Sequence, residues 1–217
     1  MKRPRWIPLL FLFVAAAVIA AGIALAPEAV RQVQQTLQSP DAAASADAEG
    51  KPAPQTASDP DVQAQLDYVL AYWSDYNTDD YGMLDDNDCV NFTSQSLIER
   101  GWQMDDYWWT DGTGMDFDYT SSWVSSTSFR DYLEESGRAT ALSAEQRDKV
   151  KLGDVVQFDW DNSGDRDHTG IVTAIEGSGD NITIYFAGHT DDSDFRSVDL
   201  AITVDHPGAS VYYWSIP

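Results

Sequence analysis

The sequence has almost no cysteine: its 217 residues include one, Cys89. A chain with a single thiol forms no internal disulfide, so Cys89 is a buried core residue, an intermolecular link or a nucleophile. From Cys89 to Arg100 no residue breaks a helix, Asp88 or Asn87 can cap its start, and Gly101 stands where a C-terminal cap is expected. The sequence therefore places the thiol in the first turn of a predicted helix.

That position favours a nucleophile. The positive end of the helix dipole and the unpaired backbone N–H groups of the first turn both stabilise a thiolate. The same N–H groups can hold the oxyanion of an acyl-transfer intermediate. The alternative is a small buried hydrophobic residue, which is the commonest role of a free cysteine.

Basic residues are also few, with 13 Lys and Arg against 36 Asp and Glu and a net charge of −23. Such a surface repels nucleic acid and anionic lipid, so we expect no nucleic-acid partner. It favours neutral or cationic partners, although solubility of an exposed domain is the simpler explanation.

A long apolar run occurs at the start of the chain, from Trp6 to Ala26, and follows three basic residues. It is long enough to cross a bilayer or to act as a signal sequence, so an extracytoplasmic protein is predicted. Pro27 disfavours cleavage after Ala26. Residues 1–27 are therefore interpreted as a membrane anchor, with a removed signal peptide as the alternative, and membrane contact is expected through this segment alone.

Residues 28–58 contain no large apolar residue after Leu37 and predict a disordered tether. Residues 59–217 have the length of one domain. Apolar residues at helical spacing follow Asp59-Pro60, and Ser126 can cap a later helix. Four β-branched or aromatic runs come afterwards, at 155–158, 168–175, 182–186 and 211–214. Helices followed by antiparallel strands predict an α+β fold.

Histidine is scarce, and two of the three histidines lie on neighbouring predicted strands. His168 opens one strand and His189 closes the next, with a turn centred between Ser178 and Gly179. The numbers of opposed residues in such a hairpin add to about 357, so His168 and His189 are predicted to face each other on one side of the sheet. His206 precedes Pro207 and is interpreted as structural or solvated.

The loop from Asp159 to Asp167 partly matches a calcium-binding loop, because oxygen-bearing residues and a glycine occupy most of its early positions. Gly170 stands where the bidentate carboxylate belongs. A hydrated acidic hairpin loop is therefore the preferred interpretation, and a calcium site is the alternative.

Several blocks together resemble a known family. They are Asp88-Cys89-Val90-Asn91-Phe92-Thr93-Ser94-Gln95, then Gly153 to Phe158, His168 to Val172, and Ala187 to Thr190. They resemble the putative amidase domain family, which is grouped with the papain-like cell-wall peptidases, from about Val62 onward. The resemblance implies a papain-like fold in which the helix that starts at the cysteine packs on an antiparallel sheet.

The resemblance also implies roles for residues. Cys89 would be the nucleophile, His168 its base and His189 the residue that orients the base, with Asp191 or Asp192 in that place if the register slips. The Cys89 N–H is expected in the oxyanion hole, and Asn77, Asn87 and Tyr76 are candidates for a side-chain donor.

The expected function is a cysteine-dependent amidohydrolase or peptidase that acts on amide bonds of the cell wall, without cofactor or metal. Transamidation is a further possibility, because it uses the same nucleophile and differs only in whether water or an amine takes the acyl group. The alternative is a non-catalytic cell-wall or glycan-binding module that uses its clustered aromatic residues, among them Tyr107, Trp108 and Trp109.

Overall fold

The computed structural model describes residues 50–217. The predicted anchor and most of the predicted tether lie outside the described residues. Within residues 50–217, no helix combines the length and apolarity needed to span a bilayer. The compact unit begins at Pro52. The Gln55 side chain donates to the Ile175 carbonyl at 2.8 Å and accepts from the Ile175 N–H at 3.2 Å, so the last residues of the predicted tether pack on the domain.

The domain has the predicted α+β architecture, with helices first and an antiparallel sheet after them. The helices are α1 (Pro60–Tyr72), α2 (Cys89–Glu99), α3 (Ser121–Val124), α4 (Ser126–Ser136) and α5 (Val198–Leu200). The strands are β1 (Thr110–Thr113), β2 (Asp116–Tyr119), β3 (Thr140–Leu142), β4 (Val155–Asp159), β5 (His168–Glu176), β6 (Thr183–Gly188), β7 (Ser193–Ser197) and β8 (Ser210–Ser215). Strands β1 and β2 form a hairpin, and the other six form one sheet in the order β3-β8-β4-β5-β6-β7.

The ends of the helices follow local chemistry. The Asp59 side chain accepts from the backbone N–H of Asp61 at 2.9 Å and caps α1 as predicted. Helix α4 is capped by Ser125, not Ser126, because the Ser125 hydroxyl accepts from a first-turn N–H. Gly137 ends that helix in the left-handed conformation that glycine adopts without strain.

The sheet separates two apolar clusters. On one face, Ile171 and Ala187 pack against α2 and the buried tryptophans. On the other face, Val172 and Phe186 pack with Phe158. Neighbouring residues along a strand point to opposite faces, so the parity of a residue decides which cluster it joins.

The pairing of β5 with β6 corrects the prediction for the two histidines. Ile171 is opposite Ala187, and continuing this register places residue 190, not 189, opposite His168. The difference arises at the turn, where residues Gly179–Asn181 form a short helix, and at a bulge between Val172 and Ala174. Because a slip of one residue moves a side chain to the other face, His168 and His189 do not face each other.

Candidate active site

Cys89 is the first residue of α2 and lies almost wholly buried, with 4% of its surface exposed. Burial raises the pKa of its thiol, and the negative charge of Asp88 acts in the same direction. Hydrogen bonds from the Ser126 side chain and from the backbone at Thr169 and Val90 oppose that rise. A thiolate at this position would therefore be unfavourable without those hydrogen-bond donors.

Asp88 precedes the thiol and forms a buried pair with His189. His189 Nδ1 lies 2.6 Å from Asp88 Oδ2, and both side chains are at most 2% exposed. The other carboxylate oxygen accepts from the Leu84 N–H and the Asn91 side chain, each at 2.8 Å. Asp88 occupies the N-cap position of α2, but its side chain makes no cap hydrogen bond because these partners occupy it.

The second nitrogen of His189 is also bonded. Nε2 lies 2.8 Å from the Tyr72 carbonyl, which can only accept, so Nε2 carries a proton. The contact between Nδ1 and Asp88 needs one further proton. Three donors converge on the Asp88 carboxylate, an arrangement suited to its ionised form, and we therefore place that proton on the imidazole.

Two aromatic rings hold the His189 ring in place. Tyr76 stacks on one face at 3.7 Å between centroids, and Phe92 stacks on the other at 3.8 Å. The Tyr76 hydroxyl donates to Asp192 at 2.9 Å. His189 thus contacts residues on both sides of Cys89 in the chain, and it lies on the face of the sheet that packs against α2.

His168 lies on the opposite face. Its ring is 5.9 Å from the rings of Phe158, Trp160 and Phe186. Within residues 50–217 its Nε2 has no hydrogen-bond partner, and it is 3% exposed. Burial lowers its pKa to about 4, with a smaller contribution from the charge of Arg196. The structure therefore brings Cys89 close to the Asp88–His189 pair but not to His168.

Behind the thiol lies a chain of buried hydrogen bonds that reaches β8. The Ser126 hydroxyl is 3.7 Å from the Cys89 sulfur and 2.9 Å from the Thr169 hydroxyl. The Gln157 amide nitrogen donates to Thr169 Oγ1 at 3.1 Å and to the Ser126 carbonyl at 2.9 Å. The Trp214 indole N–H donates to Gln157 Oε1 at 2.9 Å.

The structure gives the other candidates from the sequence a local contact or a backbone conformation of their own. The Asn77 amide donates to Asp80 at 3.2 Å, and Asn87 adopts a left-handed conformation with φ of 61°. Asp191 pairs with Arg196 at 3.3 Å. The His206 ring stacks on Trp160 at 4.0 Å, in keeping with a structural role.

Sequence reasoning missed Asp88, Ser126 and Thr169 as parts of the site. Asp88 directly precedes the cysteine in the sequence, where a helix N-cap is a sufficient explanation for a carboxylate. Ser126 was likewise explained as a cap. No sequence signal linked Thr169 to the thiol, because the predicted register placed it on the other face of the sheet.

The acidic loop between β4 and β5 brings four carboxylates together. Ligand atoms of Asp159, Asp161, Asp165 and Asp167 lie within 4.8 Å of one another. Asp159, the buried member, accepts from the backbone N–H groups of Ser163 at 3.1 Å and Gly164 at 2.9 Å. Backbone N–H groups of the loop therefore hold the Asp159 carboxylate at its centre.

The clustered aromatic residues divide between core and surface. Trp108 is fully buried, whereas Tyr107 is 77% exposed. Tyr107 lines a cavity of about 540 Å³, together with hydroxyl groups of α3 and α4 and the carboxylates of Asp105, Asp131 and Glu135. Trp109 is half-buried, so Tyr107 is the exposed member of this aromatic run, and it lies beside a polar, acidic hollow.

Comparison with known families identifies the domain. Residues 59–214 match the family described as putative amidase domain. The chain belongs to this family. Membership indicates hydrolase activity of the amidase kind. Neither a curated protein nor a solved structure matches the chain.

Proposed function

We propose that the protein is a cysteine-dependent amidohydrolase with Cys89 as nucleophile. The observation that carries the proposal is the position of the thiol at the start of α2, directly after a carboxylate that binds an imidazole on the same face of the sheet. Cysteine catalysis needs a thiol, an imidazole and a group that orients the imidazole, and this site contains all three.

The proposal assigns the imidazole role to His189 and the orienting role to Asp88. His168, which the family resemblance implies as the base, contacts aromatic residues on the far face of the sheet. The Asp88–His189 pair already holds two protons, so the imidazolium can act first as an acid. The Nε2 proton is the one available for transfer, once Nε2 leaves the Tyr72 carbonyl, because Asp88 retains Nδ1.

The reaction then follows in two halves. The Cys89 thiolate attacks the amide carbonyl carbon, the C–N bond breaks, and the imidazolium gives its proton to the departing amine, which leaves a thioester and a neutral imidazole. Water next gives a proton to that imidazole as its oxygen attacks the thioester. The carboxylic acid departs, and the thiolate and imidazolium are restored.

Backbone N–H groups in the first turn of α2, including that of Cys89, are suited to stabilise the oxyanion. Since Cys89 is 4% exposed, a substrate can reach the sulfur only after the side chains above it move. Opening of the site is therefore a separate step before chemistry.

For the substrate we propose a peptide or amide bond of the cell wall, cleaved outside the cytoplasm by a protein tethered through residues 1–27. The apolar run from Trp6 to Ala26 supports the location, and the net charge of −23 suits a neutral or cationic wall component. The family supports the amide bond.

The test is digestion of purified wall material by the full chain, followed by mass analysis of the released fragments. Cys89→Ala should abolish release. Asp88→Asn should lower kcat by up to about 10⁴-fold, because the imidazole loses the carboxylate that fixes its proton. His168→Leu should retain activity, and His206→Ala is the matched control outside the site. Near-ultraviolet circular dichroism checks that each variant is folded.

Two outcomes would overturn the proposal in different ways. Loss of activity in folded His168→Leu, with activity retained in Asp88→Asn, would return the base role to His168. The folded wild type and Cys89→Ala could instead both bind wall material without cleaving it. If Tyr107→Ala then abolishes the binding, the protein is a binding module whose contact surface is the hollow beside Tyr107.

A further inference from the structure

The Trp214 indole fixes the direction of the buried hydrogen-bond chain behind the thiol. An indole N–H can only donate, so the atom that it meets at 2.9 Å must be the amide oxygen of Gln157. The amide nitrogen of Gln157 then faces the other way. Its two hydrogens go to the Ser126 carbonyl at 2.9 Å and to Thr169 Oγ1 at 3.1 Å.

The same reasoning continues through the two hydroxyl groups. Thr169 Oγ1 accepts from Gln157, so its own hydrogen is free to donate, and it donates to Ser126 Oγ at 2.9 Å. Ser126 Oγ therefore accepts as well, and its hydrogen must go elsewhere. Among the residues that the structure describes, its remaining polar contact is the Cys89 sulfur at 3.7 Å. The sulfur is thus the acceptor at the end of a one-directional chain.

We propose that Ser126 is a catalytic residue that donates a hydrogen bond to the Cys89 thiolate, and that Thr169, Gln157 and Trp214 are positioning residues that keep the Ser126 hydroxyl turned toward the sulfur. This inference rests on the proposed function of Cys89. A donor favours the thiolate because an ionised sulfur accepts a hydrogen bond far better than a thiol does.

The site needs such a donor. Burial and the charge of Asp88 both raise the pKa of the Cys89 thiol. Asp88 supplies the charge that raises the pKa of the thiol, and Ser126 is the side chain whose hydrogen bond lowers it. All four members of the chain are buried, so water does not compete for their hydrogens.

The experiment is a pH titration of the full chain isotope-labelled at the cysteine Cβ, whose chemical shift reports the single thiol directly. Ser126→Ala and Thr169→Val should each move thiolate formation about one pH unit upward. Thr169→Ser, which keeps the hydroxyl, should restore the wild-type titration. Trp214→Phe should give an intermediate shift, because Gln157 is then free to flip.

Thr173→Val is the matched control. Thr173 is a buried threonine of the same strand whose hydroxyl donates to the Asp194 carbonyl at 2.7 Å, so its loss should leave the titration unchanged. An unchanged titration in folded Ser126→Ala and Thr169→Val would overturn the inference. A wild-type thiol that stays protonated until the chain unfolds would overturn it too.

Wall digestion separates this result from the proposed function. A shifted titration without any cleavage would support the donor chain and end the amidohydrolase proposal. Cleavage that depends on Cys89, together with unchanged titrations in the variants, would contradict the proposed donor chain and leave the amidohydrolase proposal intact.

Discussion

His168 is a buried base whose Nε2 has no hydrogen-bond partner in the part of the chain that the structure describes. The aromatic rings around it exclude water, and Gly188 lies so close that a Cβ there would come within 3.2 Å of Nε2. Burial lowers the pKa of His168 from 6.5 to about 4. In the unfolded chain the same imidazole is hydrated and titrates near its ordinary value.

The free energy of unfolding should therefore decrease as the pH is lowered from 6.5 to about 4, because of His168. Between pH 6.5 and about 4 the unfolded chain binds a proton that the folded chain does not, so the free energy of unfolding decreases as the pH drops. The loss amounts to about 3 kcal/mol at the lower limit. Urea unfolding of the wild type and His168→Leu across this range measures it. A difference between the two that does not change with pH would contradict the assignment.

Arg100 follows the last residue of α2 and ties several elements to it. Its Nη1 donates to Gln65 of α1 at 2.8 Å and to the Gly153 carbonyl at 3.1 Å. Its Nη2 donates to the carbonyls of Ile216 at 3.0 Å and Pro217 at 3.2 Å. A planar guanidinium can reach these acceptors together, whereas a lysine ammonium on one stem cannot.

Arg100→Lys should lower the free energy of unfolding by about 2 kcal/mol, because buried carbonyls lose their donors. Urea denaturation measures the change. Arg130→Lys is the comparison, since Arg130 forms a 2.7 Å pair with the half-exposed Asp131 and should change stability by under about 0.5 kcal/mol. An equal decrease in the free energy of unfolding in both variants would show that Arg100 stabilises the fold no more than a surface arginine does.

Elements with strong local signals were predictable from sequence. The Asp59-Pro60 start of α1, the start of α2 at Cys89 and the long β5 all follow from caps and periodicity. The hairpin of β1 and β2 was not predictable, because its residues are polar, glycine-containing and mostly exposed, and burial left no alternation in them.

The candidate site was predictable only in part, because it depends on register. Cys89 and His189 are on the right face, but the register of β5 depends on a turn and a bulge whose effect is one residue. Strand propensities are averaged over several residues, so they do not reveal a shift of one residue in strand register. Because of this shift of one residue, Thr169 and not His168 lies on the side of the sheet that faces the thiol.

The whole molecule carries far more negative than positive charge, with a net of −23. Within residues 50–217 the ion pairs are few and lie at the surface, apart from the buried pair of His189 with Asp88. Unpaired carboxylates of like charge repel one another, and folding brings them closer.

Added salt should therefore stabilise the protein. Raising NaCl from low to moderate concentration shortens the screening length to about 10 Å at 0.1 M and should raise Tm by about 5 °C. Differential scanning calorimetry measures the shift. Choline chloride should act equally, because screening depends on ionic strength and not on the cation. A Tm that stays constant or falls would show that self-repulsion is not significant.

The bond from His189 to the Tyr72 carbonyl has a mechanical consequence. Tyr72 is the last residue of α1, a helix with no basic residue in its final turn, and His189 reaches it from 117 positions along the chain. An imidazolium there complements the negative end of the helix. Under the proposed chemistry, each proton that leaves Nε2 removes this cap, so the end of α1 loosens and re-forms once per catalytic cycle.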